Sequence, residues 1–446
     1  MEHIFTNMRV TEHLGKISWS LADKGLYVGY GLVQLLQVKA LPAEEYGVFS
    51  LLVALNTWIM IVSDGSALAG IIQFGTDKNE RARLNTLAFV IHTLIVGVGA
   101  ALVYLFRTPL SAVFSEPRFE AVATMLPLYC LLTLPRMFCL KIIYRDIRMR
   151  DLFLIDLIWF GVRTILTTHA LATNQLNDFY DIVRIDFYGM AASSAASVMF
   201  TVKDLRFGWE GAVSLRQYLK YGIPLALATA LNSTPRQLDV LVIAAFFGVG
   251  VVGVYNPAKN LFRFFEQAFD AVAALLYPAS VRMFSQHRHD DLKIMITKVI
   301  SMTLLPTIAF VVILELGASN VIVWLLGEQY AASVTHFNVL IFAAIGMPFV
   351  LMSSVIAAMG HSAVVVRYSA YGLVIGMAVL FAASFARIEW AIGLGLVVNT
   401  IVVGLLCTAY VRRSINFPLR SVLRVITDAR SSLEERRALK NGRNGK

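Results

Sequence analysis

The sequence predicts an all-α polytopic membrane protein with about 12 transmembrane helices. Of its 446 residues, 57% are hydrophobic and only 15% are charged, and the mean hydropathy is +0.67. A soluble globular domain is usually about a quarter charged, so the composition argues against an ordinary soluble fold. A spanning helix needs roughly 20 apolar residues, and a chain of this length has room for about a dozen with short loops.

Apolar runs place each of the twelve helices in turn. No connection between them is long enough to hold a folded soluble domain. We expect the helices near residues 16–41, 44–74, 83–107, 119–141, 151–172, 178–202, 216–247, 250–282, 292–326, 332–359, 362–386 and 389–412.

Basic residues are concentrated in alternate loops, and this asymmetry predicts the orientation. The opposite loops carry little beyond Arg107, Arg118 and Arg387. The positive-inside rule therefore predicts that both termini are cytoplasmic. The basic residues of the rich loops are Lys78, Arg81, Arg83, Lys141, Arg145, Arg148, Arg150, Lys203, Arg206, Arg216, Arg282, Arg288, Lys293 and Arg367.

The net charge of +10 is explained by this topology and by attraction to anionic lipids, so nucleic acid is not an expected partner. Cys130, Cys139 and Cys407 all fall inside apolar segments, which argues against a disulfide framework or a metal site. The loop 287–291 has metal-ligand residue types but no recognisable ligand spacing.

A short repeat divides the chain into two halves. Gly47-Val48-Phe49-Ser50 follows the first helix, Gly253-Val254-Tyr255-Asn256 follows the seventh, and the same offset carries Asp64 onto Asp270. Two six-helix units, 1–205 and 206–412, are therefore expected. An even number of helices per unit makes the repeats parallel. Residues 413–446 form a basic cytoplasmic tail, which is either a helix on the membrane surface or a solvated topology anchor.

The eighth predicted helix carries a charged stripe. Between Gly248 and Met283, a polar group recurs at steps of 3, 4, 3 and 4, which stacks five of them on one helical face. Such a stripe is too costly to face lipid and should look into protein or a watered cavity. Its members are Asn256, Lys259, Arg263, Glu266 and Asp270.

Other polar groups lie within predicted spans. Helix seven offers Arg236 and Asp239 on one face with Thr229 and Asn232, and helix one offers Lys24 beside Asp23. A fold-back at Gly248 would bring Asp239 near Lys259 and Arg236 near Arg263. The remaining membrane-embedded charges are Asp64, Arg136, Asp156, Arg163, Arg184 and Glu315. Each could equally be half of an ion pair that joins two helices, and such pairs are not reliably stabilising.

The segment 41–50 reads LPAEEYGVFS. It resembles the L-G-P-E-E-Y-G-x-[FY]-S motif of Wzx-type polysaccharide flippases, with Pro42 in place of the usual Gly. These flippases belong to the multidrug/oligosaccharidyl-lipid/polysaccharide (MOP) exporter superfamily. Further similar motifs are Tyr221-Gly222-Ile223-Pro224, Gln237-Leu238-Asp239, Gly253-Val254-Tyr255 and Leu276-Tyr277-Pro278. The resemblance implies two six-helix lobes around a central cavity and a bacterial inner-membrane location.

The resemblance also implies translocation of an undecaprenyl-pyrophosphate-linked oligosaccharide for O-antigen, capsule or exopolysaccharide synthesis, alongside a polysaccharide polymerase. Because pyrophosphate requires cations within the membrane, we expect it to bind Lys24, Arg184, Arg236, Lys259 and Arg263. The chain lacks a G-x-x-x-x-G-K-[ST] loop, so ATP is not expected. Proton or sodium coupling would use intramembrane acids.

The candidate coupling residues are Asp64, Asp239, Glu266 and Asp270, with Asn399 and Thr400 as further oxygen ligands. Asn399 could instead form an interhelical hydrogen bond. A multidrug exporter of the same fold is the first alternative, although its often cationic substrates would favour an acidic cavity. A membrane glycosyltransferase or polymerase is less expected, because the outer loops are short.

Overall fold

The computed structural model describes residues 10–75, 77–233 and 237–415, and these ranges are almost wholly helical. Apolar residues line every helix, and the helices pack side by side. The helices up to the start of the predicted second half are α1 (Val10–Ala40), α2 (Ala43–Ser63), α3 (Ala69–Phe74), α4 (Arg81–Leu105), α5 (Arg107–Phe114), α6 (Phe119–Arg145), α7 (Met149–Ala172) and α8 (Phe179–Thr201). A π-helical turn, Asp64–Leu68, joins α2 to α3.

The second half contains two long helices, α11 and α12, of 37 and 38 residues, and several short ones. Short 3-10 turns at Glu328–Tyr330 and Glu389–Ala391 precede two of them. The helices are α9 (Leu215–Ser233), α10 (Leu238–Phe247), α11 (Val249–Ser285), α12 (His289–Leu326), α13 (Ser333–Ile341), α14 (Ala343–Val350), α15 (Met352–Ala358), α16 (Ser362–Phe385) and α17 (Leu394–Ile415).

Each of the twelve predicted spans corresponds to one helix or to a run of consecutive helices, so the predicted all-α membrane fold is confirmed. Within the described residues, eight helices are long and apolar enough by composition to cross a membrane. The charged stripe keeps α11 out of that set. The prediction missed the π turn in span two and the divisions between α13, α14 and α15 in span ten. Span seven is described as α9 and α10, and residues 234–236 between them lie outside the described ranges.

The chain packs into two compact units. Unit 1 comprises Met1–Pro257 and Val323–Tyr330, and unit 2 comprises Ala258–Ile322 and Ala331–Lys446. Helices α9 and α10 of the predicted second half therefore pack within unit 1. The predicted boundary near residue 205 follows the repeat, whereas these units follow packing.

Inside unit 1, the two repeat motifs meet each other. A Cβ added at Gly253 would overlap the carbonyl oxygen of Ala43, and one added at Gly47 would overlap that of Val249. Only glycine permits so close an approach between the first turns of α2 and α11. The fourth residues of the two motifs also pair, because Asn256 Nδ2 donates to Ser50 Oγ at 2.8 Å. Residues related by the repeat are thus in direct contact.

The connection between α8 and α9 is held against the start of α4 by side-chain hydrogen bonds. Glu80 accepts from the backbone amides of Ala212 and Val213 at 2.6 and 3.2 Å. Asn85 Nδ2 donates to the carbonyls of Asp204 and Arg206, both at 3.0 Å. We call residues 204–213 with these partners the linker clasp. The clasp fixes the chain immediately before α9.

Ion pairs join the loops on the same side as the clasp. Arg81 pairs with Asp146 at 2.9 Å, and Arg148 pairs with Asp204 at 2.8 Å. Loops 75–80, 146–148 and 202–214 therefore lie together, and we call this the basic-loop side. Burial acts to raise the pKa of the Asp146 carboxyl, but hydrogen bonds and charge from Arg145 and Arg81 outweigh burial and lower this pKa.

A second ionic cluster surrounds the first turn of α2. Arg118 pairs with Glu45 at 2.6 Å and with Glu116 at 2.8 Å, and Glu45 also accepts from the backbone amide of Phe179 at 3.0 Å. Burial acts to raise the pKa of Glu116, but hydrogen bonding and charge from Arg118 dominate and lower it. The cluster joins α2, the α5–α6 loop and α8.

Candidate transport site

The charged stripe of α11 lies on one continuous helix, as its spacing predicts. Lys259 is 2% exposed and Glu266 is 8% exposed, so both are buried. Arg263 is half-buried and Asp270 is exposed. Lys259 and Glu266 are both engaged in polar or electrostatic interactions, so neither side chain is free.

Arg263 differs from Lys259 in its surroundings. Among the residues that the structure describes, no carboxylate forms an ion pair with Arg263. A half-buried guanidinium on a helix within the membrane fold is costly unless an anion or water meets it. Of the predicted cations in the described ranges, Arg263 is therefore the best placed to receive a negatively charged ligand.

Asp239 lies in the first turn of α10 and is 4% exposed. Tyr255 donates its hydroxyl to Asp239 at 2.9 Å, and the Val240 amide donates at 2.8 Å. Arg236 lies outside the described residues, so its expected place beside Arg263 stays a prediction. The expected approach of Asp239 to Lys259 also stays a prediction.

The remaining predicted site residues of unit 1 are not gathered at one place. Lys24 is exposed on α1. Arg184 pairs with Asp181 on its own helix, and its side chain is 63% exposed. Asp64 pairs with Lys141 of α6 at 2.8 Å. Asp64 therefore has a counterion, whereas the repeat-related Asp270 is exposed.

A buried polar cluster that the sequence only partly indicates lies between α1, α6, α7 and α8. Arg163 and Asp186 form an ion pair in which the side chains are 6% and 3% exposed. Tyr129 donates its hydroxyl to Asp186. The guanidinium of Arg163 also lies 4.5 Å from the ring centre of Tyr30, within cation–π range.

A second ion pair adjoins the first. Arg136 pairs with Asp156 and donates to Ser193 Oγ at 2.8 Å. Its guanidinium lies 4.3 Å from the ring centre of Trp159, and that of Arg163 lies 5.3 Å from the same ring. Asp23 of α1 faces Asp156.

The sequence indicates Arg136, Asp156 and Arg163 as charges within predicted spans, with ion pairing as one explanation, and the structure supports that explanation. Asp186 and Tyr129 were not predicted from the sequence. A buried arginine requires a counterion, so the lack of an assigned acid for Arg163 was the available signal. The identity of that acid depends on which helices are neighbours, and periodicity does not give this.

Asn399 and Thr400 occupy a close contact between α16 and α17. A Cβ on Gly372 would lie 2.7 Å from Asn399 Oδ1, and a Cβ on Gly376 would lie 2.8 Å from its Cβ. Thr400 donates to the Leu396 carbonyl of its own helix at 2.9 Å. Asn399 therefore packs between α16 and α17, and its role in an interhelical hydrogen bond or in sodium coordination stays a prediction.

Comparisons with known proteins agree with the fold and with the motifs. The family model described as "Polysaccharide biosynthesis protein" matches residues 39–335, which is more than half of the chain. No curated protein matched. The solved structures described next are each below 25% identical to this chain, so they bear on the fold alone.

Three solved structures show the range of that likeness. The lipid II flippase MurJ in an inward-closed conformation has a TM-score of 0.69 at 13% identity, covering 91% of this chain and 89% of that one. An inward-facing multidrug resistance MATE family transporter of the MOP superfamily has a TM-score of 0.64 at 15% identity, covering 92% and 96%. A MOP superfamily transporter from Pyrococcus furiosus, whose binding pocket is described as having reverse polarity, has a TM-score of 0.55 at 15% identity, covering 90% and 94%.

The fold is thus that of a multi-pass membrane transporter, and the comparisons give no support to an enzyme. They confirm the resemblance to Wzx-like flippases that the motifs indicated. This chain belongs to the polysaccharide biosynthesis protein family and has the fold of the MOP superfamily transporters.

Proposed function

We propose that this protein translocates a polyprenyl-pyrophosphate-linked oligosaccharide across the bacterial inner membrane for surface polysaccharide synthesis. The observation that carries the proposal is Arg263, a half-buried guanidinium with no carboxylate partner among the described residues, on the same helix as the buried Lys259. Its context is a polysaccharide biosynthesis family and a flippase-like fold.

The chemistry of such a substrate fits this arrangement. A pyrophosphate cannot cross hydrocarbon without cations, and a guanidinium binds phosphate oxygens through two parallel hydrogen bonds. The polyprenyl chain can remain in the lipid while the charged group and the sugars follow a polar path. Lys24, Arg184 and Arg236 remain proposed contacts along that path, and Arg184 is the weakest because Asp181 already neutralises it.

We propose that translocation proceeds by alternating access, in which the two six-helix lobes rock between inward-open and outward-open states. This requires at least one contact that closes one side of the membrane and then separates. The glycine contact between α2 and α11, with its Asn256–Ser50 hydrogen bond, suits that role because it joins residues from both repeats. We assign the basic-loop side to the cytoplasm by the positive-inside rule. The termini are then cytoplasmic as well.

Coupling to a proton or sodium ion would use an acid that can change its charge. Of the proposed acids, Asp270 is exposed, Asp239 and Glu266 are buried, and Asp64 is paired with Lys141. A multidrug exporter remains the second candidate because solved MATE transporters share the fold. Its often cationic substrates would not use Arg263.

The test is complementation of a strain that lacks this gene, with surface polysaccharide measured by immunoblot. Arg263→Ala should reduce polysaccharide at least tenfold at equal protein level, because a charge-assisted hydrogen bond contributes about 1.5–3 kcal/mol. Arg263→Lys keeps the charge and should restore part of the activity. Arg288→Ala is the matched control, because Arg288 lies in the α11–α12 loop and pairs with Asp291 at 2.7 Å.

Normal polysaccharide with a well-expressed Arg263→Ala protein would remove Arg263 from the path. If Arg263→Ala and Arg288→Ala both lose activity at equal protein level, the effect is not specific to the stripe. Export of a cationic dye by wild-type protein in vesicles, without transport of the lipid-linked sugar, would favour the multidrug exporter.

A further inference from the structure

The π-helical turn in span two is an unusual feature that neither the family nor the proposed substrate explains. Across Asp64–Leu68 the helix carries one extra residue, and the Ala69 amide donates to the Asp64 carbonyl five residues back. Such turns are rare and are frequently found at functional sites. Neighbouring helices must therefore supply contacts that keep it.

Besides its own flanking helices, three helices contact this turn, and α9 makes the closest contacts with it. Ser63 on its N-terminal side hydrogen-bonds to His92 of α4 at 2.5 Å, and Asp64 pairs with Lys141 of α6. From α9, the Tyr218 hydroxyl donates to the Ala67 carbonyl. A Cβ added at Gly65 would lie 2.5 Å from Ala226 Cα, and one added at Gly222 would overlap the Ser66 carbonyl.

The repeat shows that the same position also accepts an ordinary α-turn. The offset that relates Asp64 to Asp270 maps the π turn onto residues 270–274, which are regular α-helix within α11. The residue corresponding to Gly65 there is Ala271, a good helix former. Two registers are thus available to one position of the repeat, and the π register occurs where α9 packs.

We propose that the turn Asp64–Leu68 is a register switch, held in the π form by α9 and returning to the α form when α9 withdraws. The inference rests on the proposed function: α9 packs with span two inside unit 1 in this structure, and rocking of the two six-helix lobes would move α9, which belongs to the second repeat, away from span two. The α form rotates the segment beyond the turn by about 100° relative to α2. A side chain about 5–6 Å from the helix axis then moves roughly 8 Å.

The consequence is a link between the contact that α9 makes on the basic-loop side and the register of span two. In the α form, α3 presents a different face to α9. The surface that contacts Gly222 and Tyr218 on the basic-loop side is then lost. The return of α9 and the reformation of the π turn therefore require each other. Such a two-state element closes that side in discrete steps.

The test measures the register directly in purified full-length protein in nanodiscs, without substrate. Spin labels at Gln73→Cys and Leu94→Cys report the distance between α3 and α4, and the three native cysteines are buried and should remain unlabelled. Tyr218→Phe removes the hydroxyl donor and keeps the ring, so we expect a second distance population and about fivefold faster amide exchange in residues 64–74. Tyr221→Phe, one turn along α9, is the matched control and should behave as wild type.

A second variant reaches the same state by another route. Gly222→Ala forces α9 off the Ser66 carbonyl and should populate the same second distance, whereas Gly97→Ala has open space and should not. A single unchanged distance in both Tyr218→Phe and Gly222→Ala would overturn the switch. Faster amide exchange with only a broadened distribution of the spin-label distance would mean that the helix frays, and this result would also overturn the switch. Because no substrate is present, neither result bears on the proposed flippase function.

Discussion

Removing one member of the Arg163–Asp186 pair should destabilise the protein far more than removing both. The side chains are 6% and 3% exposed, so Asp186→Leu leaves a guanidinium buried without its counterion. Breaking a buried pair from one side costs about 3–5 kcal/mol, whereas replacing both partners by apolar groups is often neutral. Arg163→Met should have a similar cost, because it strands the carboxylate that Tyr129 only partly satisfies.

The measurement is a double-mutant cycle on the unfolding free energy, by steric trapping in bicelles. We expect the two single costs to exceed the cost of the double variant by about 3 kcal/mol or more. The control is Arg184→Met, whose exposed pair with Asp181 should be worth less than about 1 kcal/mol. Additive single costs would refute the reasoning, because they would mean that each charge is solvated independently.

Three further predictions concern other contacts. Gly253→Ala places a Cβ on the Ala43 carbonyl and should lower the thermal midpoint by several degrees, because overpacking costs about 1–3 kcal/mol. Gly97→Ala should not lower it, and equal midpoints for the two variants would contradict the close approach. The pKa of Glu116 is lowered on folding, so the stability that it contributes is present above its unfolded pKa of about 4.3 and is lost as pH falls through the lower folded value. Glu116→Gln should therefore flatten the dependence of the thermal midpoint on pH below pH 5, and parallel curves for variant and wild type would contradict this. Asn85→Ala should speed tryptic cleavage after Arg206 about fivefold by loosening the linker clasp, and unchanged cleavage would show that the clasp does not hold the connection.

The architecture was predictable because the bilayer imposes one rule on every span. Apolar runs of sufficient length located all twelve spans, and the charges of alternate loops predicted an orientation. The stripe of α11 was also predictable, because helical spacing alone brings Lys259, Arg263 and Glu266 to one face.

The interruptions and the partners were not predictable from periodicity. The π turn depends on how closely Gly222 approaches span two. The start of α10 at Leu238 had an available signal, because the helix breaker Pro235 precedes it in the sequence. Asp186 became recognisable only once α8 was placed beside α7. Arg184 was likewise not recognisable from the sequence as an exposed residue paired with Asp181 on its own helix, and its contact with substrate stays a prediction.

The composition of unit 1 has a consequence for the order in which the chain is assembled in a cell. Nearly all of unit 1 is contiguous and leaves the ribosome before residue 258, yet Val323–Tyr330 also belongs to it. Tyr330 donates its hydroxyl to the Leu41 carbonyl at 3.0 Å, and Gln329 donates to the same carbonyl at 3.0 Å. The Leu41 carbonyl in the turn between α1 and α2 therefore gains these hydrogen bonds only after α12 has been inserted. A nascent chain halted before residue 323 would expose that turn to a water-soluble probe, and completion of the chain would protect it.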